Sequence, residues 1–356
     1  MEKQDIKKIL IIRFRQIGDS ILAAAMCSSL KRSFPNAQIH MVLNERISPI
    51  FHNHPDIDKI ISFTPKENEK FFLYLGKIWN VMRAEKYDVI IDMRSTIRTL
   101  IFSLFSLGTP IRIGKKKKYT FLLNRTVAPQ KGLTDMVHDN QLFANELSDI
   151  AEIIPERNFR LYVTNEEKEQ YRSYMQSKGI DFSHPVILLG ITTKIPEKRW
   201  NIEYMKEVVR RILHRYNDKK LQLIFNYAPG REEEECRQLY KELGNPDTIK
   251  IDIRAGSVRE FMALCSNSSF YFGNEGGGRH LVQALDIPSY AIFSPGAAKY
   301  KWMPQNSTPA QGICVSDVLT DDEKASLTIQ EQFDSITPDI VWRQLTPMLD
   351  AIIKKG

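Results

Sequence analysis

The residues best able to do chemistry fall in three short stretches. In residues 270–295, FYFGNEGGGRHLVQALDIPSYAIFSP, an apolar run of strand length ends in Glu275, Gly276, Gly277 and Gly278. Arg279 and His280 follow, at the head of an amphipathic helical segment that stops at Pro288. Glycines let a backbone approach a ligand closely, and the free N–H groups at a helix start, with the helix dipole, favour an anion such as a diphosphate. Arg279 and His280 would add positive or hydrogen-bonding character there. The same turn would equally serve to let a helix pack on its sheet. In the second stretch a strand-like run leads through Gly190 into Thr192, Thr193 and Lys194, then Glu197, Lys198, Arg199 and Trp200. Hydroxyls and cations just past a strand can hold a diphosphate; the alternative is a surface loop anchored by Trp200. The third stretch closes the first strand with Arg13, Phe14, Arg15, Gln16, Ile17, Gly18 and Asp19. Asp19 is either a carboxylate facing a ligand crevice or a helix N-cap. The dinucleotide fingerprint G-x-G-x-x-G is absent.

The elements that must position these residues alternate between strand and helix. Strand-like runs at 8–14, 38–43, 59–63, 87–93 and 111–113 are separated by helical stretches, notably 20–34, 67–84 and 96–107. After a polar helical passage over 140–185 the alternation restarts, with strands at 186–190, 221–225 and 248–252 and helices at 202–216, 232–243 and 258–265. Residues 338–355 read as a closing helix able to pack on either half. Continuous rather than alternating apolar runs such as ILII and DVIID suit strands covered on both faces, hence parallel sheets. The expected fold class is α/β, with two Rossmann-like doubly wound domains, residues 1–165 and 166–356. Their crevices would lie outside the carboxyl ends of the strands, and two such domains facing each other create one cleft.

Composition narrows the partners. With 42% hydrophobic and 26% charged residues the chain is ordinary globular material. The N-terminus lacks a signal-peptide core and no apolar run approaches the ~20 residues of a membrane span, so a cytoplasmic protein is expected. Cys27, Cys236, Cys265 and Cys314 are scattered and are expected as buried thiols. The one D-x-D, Asp56 to Asp58, precedes a strand, at the wrong end for the crevice; it is read as turn-forming, and no metal or other cofactor is expected. A net charge of +7 asks for an anionic partner: a nucleic acid, an acidic membrane surface or a phosphorylated small molecule. The densest cluster, Lys115, Lys116, Lys117 and Lys118, is either a solvated loop or a contact for anionic lipid or a phosphorylated acceptor. No nucleic-acid-binding motif is visible.

Taken together, K-K-I-L-I-I-R-x-R-x-I-G-D-S, T-T-x-x-x-x-K-R-W and the G-x-x-H turn before L-V-Q-A-L-D-I-P resemble the ADP-heptose:lipopolysaccharide heptosyltransferase family. P-x-I-D at Pro55, R-I-G at Arg112 and His138 add to the likeness, which runs over most of the chain. The resemblance implies the GT-B type of two-domain fold, a nucleoside-diphosphate sugar donor such as ADP-heptose held by the C-terminal domain, and metal-independent inverting transfer to a lipid-linked saccharide. Carried over, Asp19 matches the general base, Lys198 the diphosphate-contacting lysine and Thr192 and Thr193 the donor-binding hydroxyls. Gly277 and His280 match the family's D-[ST]-G-x-x-H turn, with Gly278 between them. Glu275 and Gly276 depart from it, which bears on the donor's sugar or base, and Tyr227 to Gly230 replaces a more glycine-rich turn, leaving Glu232 as a candidate ribose contact. With Arg15, Arg112 and Arg125 nearby, the lysine run would hold the acceptor at the inner face of the membrane. A nucleotide-sugar epimerase of similar architecture and a catalytically silent sugar-nucleotide binder remain as alternatives.

Overall fold

The computed structural model describes residues 2–128 and 132–354. It divides into two compact units, Met1–Tyr162 and Val163–Gly356. The boundary falls slightly before the expected one because the helix Asn165–Ser177, opened by a capping box between Thr164 and Glu167, packs wholly with the second unit.

The first unit is built on a parallel sheet of β1 (Lys8–Ile12), β2 (Gln38–Asn44), β3 (Lys59–Phe63), β4 (Val89–Asp92), β5 (Ile111–Lys115) and β6 (Arg125–Val127), in the order β3-β2-β1-β4-β5-β6. Ile9, Leu10, Ile11, Ile12 and the whole of β4 are fully buried, as continuous apolar strands covered on both faces must be. The winding reverses between β1 and β4, so a ligand crevice belongs at their carboxyl ends.

The second unit repeats the plan with β7 (Val186–Gly190), β8 (Gln222–Phe225), β9 (Phe270–Asn274), β10 (Ser289–Ile292) and β11 (Ala310–Ile313), ordered β11-β10-β9-β7-β8 and again parallel. Alternate strand residues serve opposite faces. Ile187, Leu189, Leu223 and Phe272 pack with the helices Ile202–Arg215 and Pro338–Ile353, while Val186, Leu188, Ile224 and Tyr271 pack with Asn165–Ser177 and Val258–Ser266. The closing helix thus belongs to the second unit, tied further by Asp350 to Arg215 and Tyr216; Lys355, its expected last residue, lies outside the described residues.

Several expected elements are shorter or broken. The strand expected at 248–252 is a single parallel bridge, Ile249 to Leu223, because the chain turns at Ile251 and Asp252. It occupies the place of a third strand beside β8. The helix expected over 96–107 shrinks to Leu100–Leu104, and that over 20–34 is two helices, Ile17–Ile21 and Ala24–Ser33. β6 and β11 are too short to announce themselves by periodicity. Cys27, Cys236 and Cys265 are buried, Cys314 only partly. Among the described residues no helix is long and apolar enough to cross a membrane.

Candidate active site

In the second unit the carboxyl ends of β7 and β9 are locked by one side chain. Asn274, the last residue of β9, donates its amide to the carbonyls of Gly190 (3.0 Å) and Ile191 (2.8 Å), and its Oδ1 accepts the Trp200 N–H at 2.8 Å. Trp200 is fully buried and its indole N–H bonds the Ile336 carbonyl at 2.9 Å. The segment between is therefore a loop anchored by Trp200, and on it ride the predicted donor residues. The buried Thr192 donates its hydroxyl to Glu232 at 2.8 Å, and Thr193 donates to the Ile195 carbonyl at 2.6 Å. Half-exposed Lys198 places its ammonium 3.5 Å from Glu275 Oε1, an oxygen that also accepts the Ser294 hydroxyl.

Gly276 is the N-cap of the helix Gly277–Ala284, with φ +156°, a backbone that favours glycine. No side chain caps this helix, and its N-cap directly follows Glu275, the partner of Lys198. Arg279 does not offer its charge to a ligand. It is fully buried, with its guanidinium donating to Gln283 Oε1 at 2.6 Å, to the Trp302 carbonyl and to His280 Nδ1. Burial pulls Arg279 down to about 10, so it remains protonated at neutral pH. Burial, and secondly the Arg279 charge, push His280 well below its ordinary value. A neutral imidazole accepting at Nδ1 carries its proton on Nε2, so His280 is an uncharged hydrogen-bond donor held by Arg279.

The corresponding end of the first unit is much more heavily charged. Asp19 lies inside the helix Ile17–Ile21, whose N-cap is Gln16, so the capping role is excluded by where the helix begins. Buried Arg13 donates to the Asp19 carbonyl through Nε (3.2 Å) and Nη2 (3.0 Å), and Nη2 is also 3.2 Å from Oδ1. Arg15 Nε is 3.8 Å from that same oxygen. Both cations thus address Oδ1. Burial, opposed by Asp19, lowers Arg13 to about 10. Beside it Asp92, fully buried at the end of β4, accepts the N–H groups of Arg94 (3.0 Å) and Ser95 (2.8 Å) on Oδ1, while its Oδ2 has no partner. Burial raises its pKa. The turn it holds brings Arg94 into the fields of Arg15 and Asp19.

The lysine run does not form one patch. Lys115, at the end of β5, is part-buried and held below its usual range first by burial and then by Arg13, Arg15 and Lys117. Lys116, Lys117 and Lys118 are all exposed, and Lys117 donates to the carbonyls of Arg94 (3.2 Å) and Ser95 (2.8 Å). Arg112 and Arg125 are corrections to the acceptor-side set. The Arg112 guanidinium is committed to the carbonyls of Leu122 (2.7 Å), Leu107 (3.1 Å) and Thr109, and Arg125 pairs with Asp149 at 2.6 Å. His138 is an exposed helix residue whose N–H is capped by Asp135. Asp56, in the turn before β3, accepts the Ser28 hydroxyl, and Asp58 accepts the Ile39 N–H and Lys31, so both carboxylates tie that segment to neighbouring elements. Asn274, Arg13, Asp92 and Arg94 were not singled out from sequence. The available signal was a polar residue ending an apolar strand, as in FYFGN and DVIID.

Two Rossmann-like units in one chain, each with its polar groups at the carboxyl ends of its strands, form the GT-B type of fold. The model of glycosyltransferase family 9 (heptosyltransferase) matches residues 75–317, and the chain belongs to that family. Lipopolysaccharide heptosyltransferase 1 of Campylobacter coli is 22% identical over 301 residues, covering 80% of this chain and 83% of the relative. Among solved structures, the family 9 glycosyl transferase of Veillonella parvula superposes with a TM-score of 0.82 at 16% identity, covering 100% of this chain and 99% of that one. The E. coli ADP-heptose lps heptosyltransferase II does so at 0.72 and 19%, covering 98% and 99%. At such identities the superpositions speak for the fold, and the family match carries the class.

Proposed function

We propose that this glycosyltransferase moves a heptose from ADP-heptose to a saccharide of the lipopolysaccharide-core type, inverting the anomeric centre and needing no metal. The observation that carries the reading is the uncapped start of the helix Gly277–Ala284 beside Lys198, with Thr192 and Thr193 fixed by the Asn274 lock. Those groups suit a leaving diphosphate: a cation, hydroxyls and a helix N-terminus stabilise the charge that appears as the bond breaks. Sugar and base follow the names of the relatives. Glu232, bonded to Thr192, is the candidate ribose contact. Glu275 keeps the carboxylate of the family turn one methylene further out, and at Gly276 a backbone N–H stands in for a hydroxyl.

In the transfer step the acceptor hydroxyl oxygen attacks the anomeric carbon, Asp19 takes its proton, and the carbon–oxygen bond to the diphosphate breaks with its electron pair leaving on ADP. Base assistance of this kind contributes ~100- to 10,000-fold. Arg13, Arg15, Arg94 and Lys115 would hold a phosphorylated or carboxylated acceptor near that base. The acceptor is lipid-linked, and the enzyme works as a peripheral protein at the inner face of the cytoplasmic membrane. The test is incubation with ADP-heptose and a lipid-linked core saccharide in the presence of EDTA, reading ADP release and the anomeric configuration of the product. Transfer with inversion is expected. Conversion of the donor sugar without acceptor would instead identify an epimerase, and donor binding without turnover a silent binder.

A further inference from the structure

The segment between Met93 and Thr134 contains nine lysines and arginines and no aspartate or glutamate, in a chain whose net charge is +7; the remainder of the protein is slightly acidic. Three of those cations, Arg94, Lys115 and Lys117, turn toward the Asp19 end of the sheet. The same segment also carries large apolar side chains that stand exposed. Phe121 is 84% exposed, Leu107 59%, Leu104 46% and Tyr119 38%. In the second unit the comparable residues, Ile195, Tyr300 and Ile329, are single and far apart in sequence, which is ordinary for a protein surface.

Leu107, Tyr119 and Phe121 are gathered by a built arrangement. Arg112 bonds the Leu107 and Leu122 carbonyls with one guanidinium, so the backbones carrying Leu107 and Phe121 lie on either side of it. The loop carrying Phe121 is closed on itself: Thr120 Oγ1 accepts the Lys117 N–H (3.1 Å) and donates to the Lys117 carbonyl (2.8 Å), and the Leu123 N–H bonds the Thr120 carbonyl (3.0 Å). Buried Thr120 and Leu123 anchor this loop and leave Lys116, Lys118, Tyr119 and Phe121 outside. Gly114 permits the fit, since a Cβ there would come 2.4 Å from Leu123 Cδ1 and 2.5 Å from Ser95 Oγ. Rigid aromatic and leucine side chains standing among lysines, without an acidic residue, are complementary to the headgroup and acyl boundary of an anionic bilayer.

We propose that Leu104, Leu107, Tyr119 and Phe121, flanked by Lys116 and Lys118, insert into the interfacial layer of an anionic phospholipid membrane. This deepens the reading of a lipid-linked acceptor given above, and assigns Arg112 as the staple that assembles the surface. A second copy of the chain is a poor occupant, because an isologous contact would bring two acid-free basic segments together.

The test uses the full chain and vesicles of phosphatidylcholine with or without phosphatidylglycerol. Wild-type protein should sediment with the anionic vesicles. Replacing both Lys116 and Lys118 by Gln should weaken binding about 30-fold at low salt and little at high salt. Replacing both Leu107 and Phe121 by Ser should weaken it by about tenfold or more at either salt. Phe121→Trp should add a blue-shifted emission on anionic vesicles, a readout that needs no destabilising change. Wild-type-like binding by the serine pair, together with an emission from the Phe121→Trp variant that does not shift on vesicles, would overturn insertion. So would a wild-type dimer that the serine pair converts to monomer without any vesicle binding. Transfer to a lipid-free acceptor saccharide should be unchanged in the serine pair and in Phe121→Trp. Vesicle binding by a protein that transfers nothing would sink the transferase reading and leave the docking surface standing.

Discussion

The two units wind their strands alike, yet their carboxyl ends carry their charges differently. In the first, side-chain cations crowd a pair of carboxylates: Arg13, Arg15, Arg94 and Lys115 lie around Asp19 and Asp92. In the second, Lys198 and Thr192 are each matched by a carboxylate, Glu275 and Glu232, and the remaining positive potential comes from a helix start. Fixed cations suit a group that must be held and deprotonated in one orientation. A balanced set of hydroxyls, one lysine and backbone dipoles suits a diphosphate that must bind and then leave. The lesson is that one scaffold supports either solution, because the strand ends supply position and the residues placed there supply the charge.

The comparison makes the sharpest prediction at Asp19. Asp19→Asn keeps the size of the side chain but loses the proton acceptor, so single-turnover transfer at saturating donor should fall ~100-fold or more, with donor affinity and melting temperature little changed. Near wild-type transfer would remove the distinction drawn between the units. Next in size, Lys198→Gln should lower turnover by roughly 100-fold, through lost stabilisation of the departing diphosphate, and weaken ADP binding in a calorimetric titration. Undiminished ADP affinity would move the diphosphate away from this end of the second unit.

Acid should expose a property the units share. Each buries a histidine: burial holds His54 of the first unit down at about 4 and His280 of the second well below its usual value. Below pH ~6.5 the unfolded chain takes up protons that the folded one refuses, so stability present above that pH is lost as pH falls, by up to ~1.4 kcal/mol per pH unit for each group. Melting curves from pH 7 to 5 should show the decline, and His280→Gln should flatten it; an unaltered slope would mean that His280 is charged in the folded protein. The smallest effect is expected at Gly276→Ser, which restores the hydroxyl of the family turn on a backbone at φ +156°. Strain of ~1 kcal/mol should appear as a lower melting temperature, and donor selectivity measured on the same variant would tell whether the glycine matters to the sugar.

Much of this molecule was written in local pattern. ILII and DVIID foretell buried parallel strands because the middle of a strand covered on both faces has no room for a polar residue. Asp19, Thr192, Lys198 and the Gly276 turn could be singled out because each lies in the stretch that follows such a strand. What the chain alone left open was decided by contacts between distant residues. Whether 248–252 becomes a strand depends on how long it stays beside Leu223, and it stays for one bridge. Four consecutive lysines look alike until β5 sends Lys115 toward Arg13 while Lys116 and Lys118 remain in water. Arg112 reads as one more cation until three carbonyls are found around it, and Asn274 as an ordinary strand end until Gly190, Ile191 and Trp200 are found upon it. Periodicity and turn chemistry act over a few residues and so can be read from the chain; the partner of a guanidinium or an amide is a matter of which loops the fold brings within hydrogen-bonding reach, and only the packed structure holds that distance.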